Sequence, residues 1–363
     1  MKIALAHDVL NQLGGAERVL DSFLEVWPDA TLHTVFYDEQ KTEGRYRNFA
    51  KKLSFLNSVP FSRKHPRLFV AVLPFAFGRF SFEGFDAVLS DSSAFAKGVR
   101  AGNRLHVCYC HTPTRFLWLE PGYLDSQGYP SFLKSLGKMI FPYLKRWDYA
   151  AAQRPNYMIA NSRNVQARIK KIYNRDSDVI YPPVDCGFYK PVGEKKEYFL
   201  AAGRIEPYKR MDIVVEAFNE LGWPLKVAGT GTGLEKLKSK AKPNIEFVGR
   251  VTDEELRRLY SEAKAFVFPG NEDAGIMPLE AAACGTPAIA YGAGGALETV
   301  VKGITGEFFD RQTKESLLAA LRAFNPSAYD AGKIREQAMK FDKKNFQKRI
   351  RDYMEEKLKE RNK

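Results

Sequence analysis

The sequence has little cysteine, four in 363 residues, and its start carries no charged and apolar leader; both point to a reducing, cytoplasmic compartment. The opening Met1-Lys2-Ile3-Ala4-Leu5-Ala6 is too short for a signal segment and reads as a first strand. A long hydrophobic run is also missing. The longest apolar stretch, Phe69 to Phe77, is nine residues and is broken by Pro74, where a membrane span needs roughly 20. The chain is therefore expected to be soluble or peripheral. Internal repeats and low-complexity tracts are absent, and a composition of 45% apolar and 27% charged residues excludes disordered, collagen-like and disulfide-scaffold classes. At about 100 to 200 residues per domain, the length predicts two domains, each able to bury its own core.

Negative charge is in short supply: 43 Asp and Glu face 56 Lys and Arg, a formal +13. Residues 41–110 carry net +8 and residues 333–363 net +6, so these two segments hold the excess. A solvated basic surface is the plain reading. An anionic membrane is the sharper one, each Lys or Arg near it contributing roughly 1 kcal/mol. A nucleic-acid partner is not expected, because no nucleic-acid motif accompanies the charge. Phe69, Phe75, Phe77, Phe80, Phe82 and Phe85 share the first basic segment with Lys51, Lys52, Arg63 and Lys64. Basic residues plus aromatics make a peripheral site on the inner face of the cell membrane, although some of these rings must be core.

What is present is a repeated alternation of strand and helix signals. In the first half, Ile3 to His7, Asp86 to Ser90, His106 to Cys110 and Tyr157 to Asn161 read as buried strands ending in polar residues. Glu17 to Val26 has helical periodicity. Tyr181-Pro182-Pro183, followed by Gly187, Pro191 and Gly193, breaks the pattern. A second alternation follows: strands Tyr198 to Ala202, Leu225 to Ala228, Ile245 to Val248, Ala265 to Pro269 and Ala288 to Tyr291, with helices Asp212 to Leu221, from Leu234, Asp253 to Ala263 and Pro278 to Ala283. The fold class is α/β, two doubly wound Rossmann-like domains facing across a cleft. The expected division is 1–181, a linker 182–196, and 197–342, with a terminal helix of about 343–363 packing back on the first domain.

Ligands of such sheets gather beyond the carboxyl ends of the strands, and the motifs lie there. Gly203-Arg204-Ile-Glu-Pro-Tyr-Lys209 follows a strand directly and precedes a helix. Its two cations suit a diphosphate, the guanidinium gripping oxygens in pairs and the ammonium acting as a point charge. Glu272-Asp-Ala-Gly-Ile-Met-Pro-Leu-Glu280 follows another strand. Gly275 lets backbone amides approach a ligand, Pro278 suits a first helical turn, and the helix start favours an anion. The two carboxylates could grip separate sets of sugar hydroxyls. Gly14-Gly15-Ala-Glu-Arg opens the first helix and permits close backbone approach. Gly229-Thr-Gly231-Thr-Gly233 has the wrong spacing for a dinucleotide fingerprint and reads as a tight turn.

His111 ends a buried strand and should present its imidazole to the cleft, with a satisfied core histidine as the equal alternative. Cys108 and Cys110 share one strand face and should pack in the core. With no second cysteine pair, zinc is not expected. Asp176-Ser-Asp178 is similar to a metal-holding D-x-D but falls in a polar surface turn.

This ordered set resembles the retaining glycosyltransferases of family four, which have the two-domain GT-B fold, and the resemblance spans nearly the whole chain. It implies that Arg204 and Lys209 neutralise the donor diphosphate and that Glu280 binds the ribose hydroxyls. Glu272 and the amides of Gly275, Ile276 and Met277 would hold the transferred sugar and its phosphate. His111 would touch that sugar from the first domain, Gly15 would approach the phosphate and acceptor, and Val251 would border the base. Glu272, Arg204, Lys209 and His111 are the implied catalytic set. No metal or cofactor is implied beyond a nucleoside diphosphate sugar as co-substrate. The stretches His7 to Arg18 and Tyr109 to Trp118 further resemble bacterial mannosyltransferases of surface-polysaccharide assembly, favouring GDP-mannose over a UDP-sugar and a glycan or lipid-linked acceptor. One departure is Ala274, where the family usually carries an aromatic residue. The rival readings are a nucleotide-sugar epimerase, which would act on donor alone, and a basic nucleic-acid-binding protein.

Overall fold

Short runs rich in Val, Ile, Leu, Ala and Phe form two parallel sheets, as buried strands covered on both faces should. The computed structural model describes residues 1–63, 65–120 and 131–361. The chain forms two units, one of Met1–Tyr181 together with the residues from Gln347 onward, the other of Pro182–Phe346.

The first unit contains β1 (Ile3–His7), β2 (Thr31–Thr34), β3 (Lys51–Leu53), β4 (Ala87–Ser92), β5 (Leu105–Cys110), β6 (Tyr157–Ala160) and β7 (Asp178–Val179), in the order β3-β2-β1-β4-β5-β6-β7. Every pairing is parallel. Its helices are α1 (Gly15–Val26), α2 (Leu73–Gly78), α3 (Arg115–Trp118), α4 (Ser131–Ala152) and α5 (Arg163–Tyr173). Helix α1 buries Val19, Leu20, Phe23 and Leu24 along one stripe. The long α4 contains Pro142. Cys108 and Cys110 lie together in a cluster with Met158, Val165 and Ile169.

The second unit contains β8 (Phe199–Ala202), β9 (Leu225–Ala228), β10 (Ile245–Gly249), β11 (Phe266–Phe268), β12 (Ala288–Tyr291) and β13 (Gly306–Phe309), in the order β10-β9-β8-β11-β12-β13. Its helices are α6 (Met211–Leu221), α7 (Leu234–Lys238), α8 (Asp253–Glu262), α9 (Ile276–Ala283), α10 (Ala296–Thr299), α11 (Lys314–Ala323) and α12 (Ala331–Met339). Successive strand residues feed opposite cores. Leu200, Phe266 and Phe268 join Leu279 and Ala283 on one face, while Phe199, Ala201 and Val267 join Val215, Phe218 and Leu317 on the other. Each such large side chain, fully buried, contributes about 1.5–3 kcal/mol. The last helix, α13 (Lys343–Arg361), starts in this unit and continues in the first, where Arg349 donates to the Val179 carbonyl and the Tyr353 hydroxyl to Asp178.

Two details differ from the sequence reading. Helix α9 begins at Ile276 rather than Pro278. The proline therefore sits in the third helical position, where its missing N–H is still one the helix cannot use. The basic aromatic segment is largely structural: Phe77 and Phe82 are buried, and Phe80, Phe82 and Phe85 surround the His33 ring. Lys51 donates to the carbonyls of Tyr46, Arg47 and Phe49 instead of facing solvent unengaged. Of the six rings named from sequence, Phe75 is among the exposed large side chains, joined by Phe55, Phe61, Leu68 and Val72. Lys64 lies outside the described residues. Among the described residues no helix is long and apolar enough to cross a membrane.

Candidate functional site

In the second sheet the connections after β8 and β11 leave in opposite directions, because β9 and β10 lie on one side of β8 and β11 to β13 on the other. Open α/β sheets take their ligands at such a switch point. After β8 the chain passes Gly203 and Arg204, makes a 3₁₀ turn at Pro207–Lys209, and enters α6 through Arg210 in a left-handed conformation. After β11 it runs through Glu272 to Gly275, the N-cap of α9.

The two connections meet in an ion pair between Lys209 Nζ and Glu272 Oε1, both side chains nearly buried. Arg204 Nη2 donates to the Tyr208 hydroxyl at 3.0 Å and remains exposed. Gly275 has φ +64°, and a Cβ there would come within 2.7 Å of Thr299 Oγ1. That glycine turns the chain so that the Ile276 and Met277 amides head α9, where N–H groups lack helical acceptors and the helix dipole is positive. The loop is fixed from behind: Gly295 N–H donates to the Glu272 carbonyl at 2.8 Å, and Ala274 is buried against Gly295. Glu280, one turn into α9, is buried and accepts from the Tyr260 hydroxyl at 3.1 Å. Val251, just past β10, is half-buried against the same core.

The glycine triplet has a structural task. Gly203 and Ile205 N–H donate to Ala228 and Thr230 carbonyls, and a Cβ at Gly229 would overlap the Gly203 carbonyl oxygen. The turn that carries Arg204 thus rests directly on the turn after β9.

The first sheet has its switch point between β1 and β4. His7 ends β1, in register with Asp91 on β4, and His111 follows β5. Asp91 Oδ2 accepts from His7 Nδ1 at 2.9 Å and Oδ1 from His111 Nε2 at 2.5 Å. Glu17 Oε1 lies 3.6 Å from His7 Nε2. Burial alone would lower the His7 pKa, but hydrogen bonds and charge from Asp91 and Glu17 outweigh it and raise the value to about 10. Burial would raise Asp91; the two imidazoles outweigh that and hold it below the usual carboxylate range. Gly14 caps α1, and Gly15 is its first residue.

Two further networks fix the loops around this row. Asp8 accepts from the amides of Ser93, Ala94, Phe95 and Ala96 at 2.6–2.8 Å. Buried Lys97 pairs with buried Asp148 at 2.6 Å, and Asp148 also accepts from Thr114, Trp118 and Tyr173. Such a pair is tolerable because its oxygens are satisfied. Asp176 pairs with exposed Lys170, and Asp178 with Tyr353. Among the described residues no group of three or more His, Cys, Asp or Glu could hold a metal ion.

The structure thus brings Arg204, Lys209, Glu272, Gly275, Ile276 and Met277 to one sheet edge in the second unit, and His111 and Gly15 to one sheet edge in the first. Sequence reasoning missed Asp91, His7, Glu17, Tyr260, Lys97 and Asp148. Asp91 carried a signal: an acid at the polar end of a buried strand.

Residues 13–188 match the family described as Glycosyltransferase Family 4, and residues 189–361 match Glycosyl transferases group 1. The chain belongs to glycosyltransferase family 4. This family 4 chain is 30% identical over 214 residues to the O-antigen chain mannosyltransferase RfbU of Salmonella typhimurium, covering 53% of this chain and 57% of that one. It is 28% identical over 205 residues to a D-inositol 3-phosphate glycosyltransferase of a Nocardioides species, covering 46% and 45%. The alignments span about half the length of these curated relatives. Among solved structures, HepE of Anabaena in complex with UDP has a TM-score of 0.74 at 19% identity, covering 98% of this chain and 100% of that one. Sucrose-phosphate synthase of Thermosynechococcus elongatus has 0.78 at 16%, covering 98% and 99%. These likenesses show the fold: two parallel-sheet, Rossmann-like domains of the GT-B type.

Proposed function

We propose that this chain transfers a hexose from a nucleoside diphosphate sugar to a hydroxyl of a glycan or lipid-linked acceptor, with retention at the anomeric carbon and without a metal. The observation that carries the reading is the meeting of Lys209 and Glu272 at the second switch point, with Arg204 and the first amides of α9 on the same edge. Arg204 and Lys209 take the diphosphate, Glu272 and the amides the sugar and its phosphate, Glu280 the ribose, and the Val251 segment the base. In the first unit, Gly15 and His111 serve the acceptor and the transferred sugar. As the bond from the anomeric carbon to the phosphate oxygen breaks, the acceptor oxygen bonds to the same face of that carbon. Its proton passes to the leaving phosphate oxygen, whose charge the two cations stabilise.

Likeness to RfbU supports mannose from GDP-mannose; the UDP complexes of HepE support a uridine donor as the second reading. A melting screen with GDP-mannose, UDP-glucose and UDP-N-acetylglucosamine tests both. A ligand at a hundred times its Kd stabilises by about 2.7 kcal/mol, and a protein indifferent to every nucleotide sugar would overturn the proposal.

The acceptor side is assigned to the inner surface of an anionic membrane. Phe55, Phe61, Leu68, Val72 and Phe75 are exposed in the basic segment, where Phe55 and Phe75 touch edge to face at 5.9 Å and Arg79 covers Phe75. On α4, Leu136, Met139 and Tyr143 are exposed at helical spacing. Apolar side chains among Lys and Arg suit the boundary between acyl chains and acidic head groups.

A further inference from the structure

The row Glu17, His7, Asp91, His111 at the first switch point is more than a set of satisfied core groups. His7 and Asp91 are 2% and 1% exposed, so water does not compete for their hydrogen bonds. Asp91 uses one oxygen for each imidazole. A carboxylate only accepts, so each ring must turn an N–H toward it. On His111 that N–H is Nε2, which leaves the Nδ1 lone pair of the neutral ring as an acceptor. Among the described residues Nδ1 has no partner. The ring cannot readily swing away: its edge packs against Tyr109, with centroids 5.3 Å apart, and its backbone N–H is bonded to the Ser92 carbonyl. His7, flanked by Asp91 and Glu17, supplies the positive charge that lets a carboxylate stay buried between two rings.

We propose that Asp91, with His7 as its fixed counter-ion, is a positioning residue that locks His111 in the Nε2–H tautomer, so that Nδ1 accepts a hydrogen bond from a substrate hydroxyl. The use of that hydroxyl rests on the sugar-transfer reading above; the tautomer does not. Asp91→Asn preserves shape but offers one acceptor and one donor. Charged His7 takes the amide oxygen. His111 then faces the amide NH₂ and must present a lone pair from Nε2, which moves its proton to Nδ1 and removes the acceptor.

The test is long-range proton–nitrogen correlation of the full chain labelled at histidine, near neutral pH, with His111 assigned by its loss in His111→Gln. The wild-type protein should show His111 as the Nε2–H form and His7 with both nitrogens protonated. Asp91→Asn should show His111 as the Nδ1–H form. Its turnover should fall about a hundredfold, while its affinity for GDP or UDP, read by calorimetry, stays at the wild-type value. A wild-type His111 protonated at Nδ1, or Asp91→Asn turning over at the wild-type rate in an active preparation, overturns the proposal. If Asp91→Asn does not fold, the wild-type spectrum decides alone. A wild-type protein without transfer activity but with the Nε2–H form would sink the sugar-transfer reading and leave the tautomer lock standing.

Discussion

Each unit places its candidate groups at the switch point of a parallel sheet, yet the two use different chemistry. In the second, a lysine, an arginine and a glutamate come from two loops, and the support is backbone against backbone at Gly203 and Gly229. In the first, imidazoles and carboxylates form buried hydrogen-bonded rows, and all five histidines of the chain lie there. The surfaces differ as well. Exposed large apolar side chains of the second unit are the scattered Leu297, Ile304 and Met339, whereas the first concentrates them between Leu53 and Phe75 and along α4. Response to pH near neutrality and affinity for an interface should therefore be properties of the first unit, and grip on phosphate a property of the second.

The comparison is most easily broken through the buried pair. Lys97→Met leaves the Asp148 carboxylate without its cation and should cost about 3–5 kcal/mol of first-unit stability. Peptide-resolved hydrogen exchange should show the loss there and spare the second unit; uniform loss would mean that the two are not separate stability units. Next in size, Lys209→Ala and Glu272→Ala should each lower transfer by at least about a hundredfold without changing the melting temperature by more than a few degrees. Near-normal rates in folded variants would remove the phosphate grip from the second unit.

Acid and alkali should act on the first unit by opposite routes. Burial lowers His33 to about 4, and burial with the charges of Arg154 and Arg175 lowers His106 to about 3. An unfolded histidine titrates near 6.5, so as pH falls below that value the unfolded chain takes up protons the native state refuses, and stability is lost. His7 behaves in reverse: its contribution is complete below about 6.5 and fades as pH rises toward about 10. First-unit stability should therefore peak near pH 6.5, while the second unit, without histidine, stays level between about pH 5.5 and 7.5. Hydrogen exchange across that range checks this; matching pH profiles for both units would contradict it. The smallest effect is interfacial. Binding to anionic vesicles should fall several-fold with salt and with Phe61→Ser, Phe75→Ser and Arg63→Glu, while neutral vesicles bind little. Equal recovery with both vesicle types would refute the membrane assignment. Addition of EDTA should leave the transfer rate unchanged, and a strong loss would point to a metal.

Sequence patterning located most strands and the second-unit motifs because each motif sits where an apolar run stops, and that position is the sheet edge. The short β2 and β3 were not legible: His33 and two lysines interrupt their apolar pattern, and pairing makes them strands, β2 against β1 and β3 against β2. Pro142 interrupts α4, a helix that sequence patterning did not assign. Lys97 looks like any surface lysine, since its burial depends on Asp148, 51 positions away. Asp91 stands one position past the strand read as Asp86 to Ser90, and its imidazole partners come from the end of β1 and from just beyond β5.

Helix α13 has a consequence for synthesis. Its residues from Gln347 onward complete the first unit, yet they follow the entire second unit in the chain. At about 5 to 20 residues per second, translating the intervening 165 residues takes roughly 10–30 s. During that interval the Val179 carbonyl and Asp178 wait at the sheet's last strand without Arg349 and Tyr353. The nascent first unit is thus one whose edge stays open until residues beyond the second unit have been made.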